Sequence, residues 1–166
     1  MDVAIVWNNA LARGDWSIQN SDLALDNPLR TAIMVSLFTD RVAPEALSTL
    51  DQAVGMKSAP DAAGSNHSDR RGWWGDAFAQ EPIGSRLWQL QRAIKAGQTS
   101  TLREAEAICH EALQWMIDDG VAASVGVTAS WASSTTPTLQ FAVTVTEPGT
   151  NATQQFYYSW AWEGLT

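Results

Sequence analysis

Cysteine is nearly missing from this sequence: Cys109 is the only one in 166 residues. No internal disulfide can form, and a metal cluster built on cysteine is excluded. Histidine is almost as scarce, with only His67 and His110. Basic residues are in deficit, 10 Lys and Arg against 18 Asp and Glu, for a formal net charge of −8. So acidic a chain argues against nonspecific nucleic-acid binding, which needs clustered positive charge. No apolar run approaches the length that crosses a bilayer. The start, MDVAIVWNN, lacks the basic residues and long apolar stretch of a signal peptide. A glycine-rich phosphate loop with its lysine is also absent. These absences point to a chain without cofactor, nucleic-acid or membrane partners.

What the chain does have is tryptophan. Nine occur among 45% apolar residues. Tryptophan fills cores and also dominates the energetics of protein interfaces. Three of the nine fall in Asp69–Leu90, DRRGWWGDAFAQEPIGSRLWQL, with three arginines and three glycines. Glycines bracketing large rings indicate a backbone that bends sharply to place them. The charge is also uneven. Residues 70–103 carry six bases and two acids, whereas residues 104–120 carry five acids and no base. The basic middle is therefore expected to pair with the chain's own acidic helix or with an acidic partner.

The periodicities predict an α+β fold in one domain over 1–166. Short strands are expected over 1–25, with Val3, Ile5 and Trp7 alternating, a loop over Asn8–Gly14, and a turn at Gln19–Asp22. A helical part follows over 26–120. Asn27-Pro28 starts the first helix, and Leu29, Ile33 and Leu37 give its apolar stripe, stopping by Arg41–Ala43. Residues 44–68 read as a long loop with one short helix near Glu45–Leu50. Pro82 opens a second helix closed by Gly97. Thr101 and Glu104 have the form of a capping box for a third, which runs to Asp119 and stops at Gly120. Its acids, Glu104, Glu106, Glu111, Asp118 and Asp119, read as a solvated face. Asp118 and Asp119 lie where the helix dipole disfavours them, so an arginine partner from the basic middle is expected. Over 121–166 the period changes to two in three segments, from Val121 to Trp131, Leu139 to Val145 and Phe156 to Trp162. Three strands with short connections predict an antiparallel meander packed on about three helices, and its last strand, if at an edge, can pair with another chain.

No catalytic constellation stands out. His67 and Asp69 are neighbours but have no identifiable nucleophile partner. Cys109 and His110 point to different helix faces, and Cys109 falls on the apolar stripe. Carboxylates and the Trp73–Trp74 pair keep a second reading in play, a cell-wall glycan-binding or glycan-hydrolysing protein.

Asp69-Arg70-Arg71-Gly72-Trp73-Trp74-Gly75-Asp76 followed by Ile83-Gly84-Ser85-Arg86-Leu87-Trp88 carries a family resemblance. Thr31-Ala32-Ile33, Leu37-Phe38-Thr39-Asp40 and Ala112-Leu113-Gln114-Trp115 extend it in order over most of residues 20–131. The sequence resembles the baseplate wedge, or sheath-initiator, protein of Mu-like contractile phage tails and prophages. The resemblance implies an α+β structural protein, not an enzyme, of the virion tail baseplate, assembled in the host bacterial cytoplasm. Its implied partners are other wedge proteins, the tail sheath protein, and tail tube or hub proteins. The wider group has a Glu-Pro-Arg triplet after the last helix. Here Asp118-Asp119-Gly120-Val121 stands in that place, so that contact does not carry over. The residues expected to touch partners are Arg70, Arg71, Trp73, Trp74, Asp76, Arg86, Trp88, Phe156, Tyr157, Tyr158 and Trp160.

Overall fold

A computed structural model describes residues 2–3, 5–8, 13–19, 22–23, 25–44, 46–53, 70–78, 81–90, 99–132 and 138–161. The fold is α+β. Its centre is a three-stranded antiparallel meander, β7 (Ser124–Ala132), β8 (Thr138–Thr146) and β9 (Thr153–Ala161), in that spatial order. Opposed residues share a face, so the register sorts the side chains. Val127–Val143–Phe156 and Ala129–Phe141–Tyr158 form rows across the inner face. Thr128–Ala142–Tyr157 and Gly126–Thr144–Gln155 form rows on the outer one. Phe141, Val143 and Val145 are fully buried, as expected for the central strand.

The inner face is covered by α1 (Pro28–Phe38) and α4 (Thr99–Leu113). Asn27 caps α1 as anticipated, its side chain accepting from the Leu29 amide at 3.0 Å, with Pro28 in the first turn. Ile33 and Leu37 from α1 meet Ala105, Ile108, Cys109 and Leu113 from α4 in one core with the sheet. Cys109 is buried there, and burial pushes its thiol pKa far up. Glu106 on α4 reaches the outer edge of β7, where its carboxylate accepts from the Ala129 amide at 2.8 Å.

The N-terminal strands are short pairs. β1 (Asp2–Val3) pairs with β6 (Leu25–Asp26), β2 (Ile5–Asn8) with β3 (Arg13–Trp16), and β4 (Ile18–Gln19) with β5 (Asp22–Leu23). Arg13 and Gly14 thus belong to a strand, not to the loop expected over Asn8–Gly14.

Several boundaries differ from expectation for physical reasons. α1 ends at Phe38, because Thr39 turns extended to bridge with the 84–86 segment. The short helix in the 44–68 stretch is α2 (Thr49–Ala53), later than Glu45–Leu50. Ser48 caps it: its hydroxyl accepts from the Asp51 amide at 3.1 Å, and Asp51 accepts from the Ser48 amide at 2.9 Å. Ile83 stays outside the second helix, whose described turn is α3 (Leu87–Leu90). Gly97 and His67 lie outside the described residues. α4 begins at Thr99, so Thr101 is a buried interior residue and not its cap. Gln114 breaks the third helix, leaving the single turn α5 (Trp115–Asp118). β7 begins at Ser124, and Ala122 takes the buried place that the alternation gave to Val121.

Candidate protein-binding surface

The tryptophan-rich segment is fixed to the body by its backbone. Asp40 and Ser85 form a parallel bridge, with Ser85 donating to the Thr39 carbonyl at 2.9 Å and Arg41 to the Ser85 carbonyl at 3.0 Å. Gly84 makes this close approach possible. Its φ is +99°, and a Cβ there would press on the Thr39 carbonyl. Further along, Ala43 donates to the Arg70 carbonyl at 2.9 Å, and the Arg70 guanidinium donates back to the Ala43 carbonyl at 2.7 Å.

Arg71, at φ 54°, and Gly72, at φ 104°, then turn the chain. Arg71 pairs with Asp40 at 2.6 Å and lies 4.6 Å above the Trp88 ring. Trp88 is buried, and its indole donates to the Arg41 carbonyl at 2.9 Å. Trp74–Ala77 make one 3-10 turn. Asp76 holds it through Oδ1, which accepts from the Ile83 amide at 3.0 Å, while its buried Oδ2 has no partner among the described residues. The Trp73 ring folds back over Gly75, a place any larger residue would occupy.

This scaffold presents rings outward. Trp74 is 77% exposed, Phe78 87% and Trp73 43%. The two indoles stand 5.3 Å apart, tilted by 46°. Far along the chain, Tyr157 on the outer sheet face is 73% exposed. Of the other residues singled out in the sequence, Phe156 and Tyr158 are buried in the core, and Tyr158 donates to the Arg30 carbonyl at 3.3 Å. Trp160 pairs with Leu139 in the ladder. Phe78 escaped notice, although it is the third large ring in six residues.

Arg86 is the centre of an internal ion cluster. It binds Asp51 at 3.0 Å and Glu111 at 3.0 Å, and Glu111 lies 3.7 Å from Arg41. Glu104 lies beside Asp51 and is buried, not solvated as its helical position suggested. Burial works to raise the Asp51 carboxyl, but the Ser48 hydrogen bonds and Arg86 outweigh it and hold it below the usual range. Burial pushes Glu104 the other way, up, and the neighbouring Asp51 adds to the rise. Burial opposes the Arg86 charge too, but Glu111 and Asp51 outweigh it and raise its pKa. The basic middle thus does pair with the acidic helix, at Glu111. Among the described residues the partner of Asp118 is not an arginine but Gln114, whose side-chain amide donates to it at 3.0 Å.

Residues 29–152 match the family described as phage protein GP46. The chain belongs to that family. It is 38% identical over 128 residues to the baseplate protein gp46 of Escherichia phage Mu, a match covering 77% of this chain and 76% of the relative. It is 37% identical over 131 residues to the Mu-like prophage FluMu protein gp46 of Haemophilus influenzae, covering 78% and 76%. The matched GP46 region contains the bridged scaffold, its outward rings, the ion cluster and strands β7 and β8.

Proposed function

We propose that this GP46 family protein is a structural component of a contractile tail baseplate, that it joins the wedge complex, and that its C-terminal strands start sheath assembly. The observation that carries this reading is the set of large rings held outward on a bridged, glycine-turned backbone. Preorganised aromatics make contact area at little entropic cost, which suits a protein joint. The baseplate location comes from the relatives in phage Mu and FluMu.

The sheath role draws on the asymmetry of the meander. Glu106 occupies the outer edge of β7, whereas β9, among the described residues, pairs with β8 alone. Strand addition at β9 would gain affinity from backbone hydrogen bonds and register from alternate side chains. Glu104, the acid on which a glycan hydrolase reading would first rest, is buried against Asp51 and offers a glycan no access.

Two exposed-ring variants test the two halves separately. Trp74→Ala is expected to fold normally and to lower recovery of the protein in wedge complexes. Tyr157→Glu is expected to leave wedges intact and to lower the fraction of baseplates carrying sheath, counted by electron microscopy. Normal sheath on Tyr157→Glu baseplates would refute initiation through β9.

A further inference from the structure

A groove of about 850 Å³ runs between the 81–84 segment and the end of the α4–α5 helices, beside the Trp73 ring. Trp73, Ile83 and Trp115 give it apolar lining. Its two walls carry acids: Glu81 on one, Asp118 and Asp119 on the other. Glu111 and Arg41 also line it, and they answer each other at 3.7 Å. The remaining three carboxylates have no cation among the described residues. Asp118 takes a neutral Gln114 amide, and Arg86, the basic residue drawn to this helix, is committed to Asp51 and Glu111.

Both helix-end acids stand against local preference. Asp118 closes the single turn α5 and Asp119 is its C-cap, at the end of the α4–α5 run where the helix dipole disfavours negative charge. A cation brought in from outside relieves that repulsion, and the apolar lining suits the methylene stem of a long basic side chain. An anionic or purely polar segment would meet three carboxylates that no cation pairs with among the described residues.

We infer that this groove is a docking site for a partner protein's segment in which arginine or lysine alternates with apolar residues. The identity of the partner as another tail protein rests on the baseplate reading; the chemistry of the groove does not. The match of acidic walls to a basic segment sets specificity and on-rate, and the tryptophan lining sets the residence time.

The test uses the full chain and two probe peptides, acetyl-Leu-Arg-Leu-Arg-amide and acetyl-Leu-Glu-Leu-Glu-amide. Titration followed by nitrogen–proton NMR is expected to shift the Trp73 and Trp115 indole N–H and the Asp118–Gly120 amides with the basic probe. Its binding should exceed that of the acidic probe by about tenfold or more and weaken with added salt. The variant Glu81→Gln/Asp118→Asn/Asp119→Asn changes only exposed side chains, so its melting temperature should be unchanged or higher. It should lose the preference for the basic probe and yield fewer complete tails than wild type when it replaces the wild-type protein during assembly. No basic-probe binding, equal binding of both probes, or a preference that survives in the variant overturns the inference. So does wild-type tail yield from a variant that has lost peptide binding. That last result leaves the baseplate reading standing, which fails instead if contractile tails form normally without the protein.

Discussion

Replacing Arg86 with methionine removes, among the described residues, the one cation paired with α2, at nearly constant volume. The Asp51 side chain is 3% exposed and Arg86 15%, so their 3.0 Å contact is largely out of water. Removing one member of a buried pair costs about 3–5 kcal/mol, chiefly because the other charge is stranded. Glu111, the second partner, is 40% exposed and can turn to solvent. The lower end, about 3 kcal/mol, is therefore expected, since exposed pairs contribute little. For a chain of this size that lowers the melting temperature by about 6–12 °C.

The pH dependence gives the sharper check. Asp51 is held below its ordinary 3.8, so its contribution is present above that value and lost as pH falls through the lowered one. Arg86→Met removes the Arg86 share of that contribution and leaves the Ser48 hydrogen bonds, so the gap between variant and wild type should narrow towards acid. Adding Asp51→Asn to Arg86→Met should recover part of the loss, because the stranded charge is gone. Urea titrations followed by tryptophan fluorescence across the pH range measure all of this. A loss below about 1 kcal/mol, the range of an exposed pair, would refute the reasoning. So would a loss that is the same in acid and at neutral pH.

Glu104→Gln should act in the opposite direction. Burial first, and Asp51 second, raise the Glu104 carboxyl above 4.5, so its favourable contribution is lost as pH rises through the raised value. The variant should therefore gain stability relative to wild type as pH rises, and a gap in melting temperature that does not grow would contradict this. Gly84→Ala should cost about 1–3 kcal/mol in urea unfolding, because φ +99° strains the new residue and its Cβ meets the Thr39 carbonyl. Cys109 should resist thiol reagents in the native protein and react only in step with unfolding, since it is wholly buried and its pKa is raised. Labelling at a rate independent of denaturant would refute its placement in the core.

The elements legible in the sequence are those specified by short-range rules. Asn27-Pro28 announces α1, and the alternation in Leu139–Val145 announces the central strand, because cap chemistry and pleat depend only on near neighbours. The meander and its helical cover followed from that change of period. The ion cluster did not follow. Its members, Asp51, Arg86, Glu104 and Glu111, come from three separate segments, and a helical wheel alone puts Glu104 beside solvated acids. Thr101 and Glu104 satisfied the cap pattern, yet α4 starts two residues earlier and both become interior. The glycines of the tryptophan-rich stretch did reveal bent backbone. Which rings turn outward was decided by tertiary hydrogen bonds: Trp88 finds the Arg41 carbonyl and goes in, whereas Trp74 stays out.

The carboxylate of Glu106 on the Ala129 amide has a consequence for how copies of this domain could be joined. With the Ala129 amide taken, a visiting strand on that margin would lack one ladder hydrogen bond, which biases addition towards the other margin. Ribbon-to-ribbon stacking of identical copies would need both margins, so a single side chain works against that route to runaway fibres.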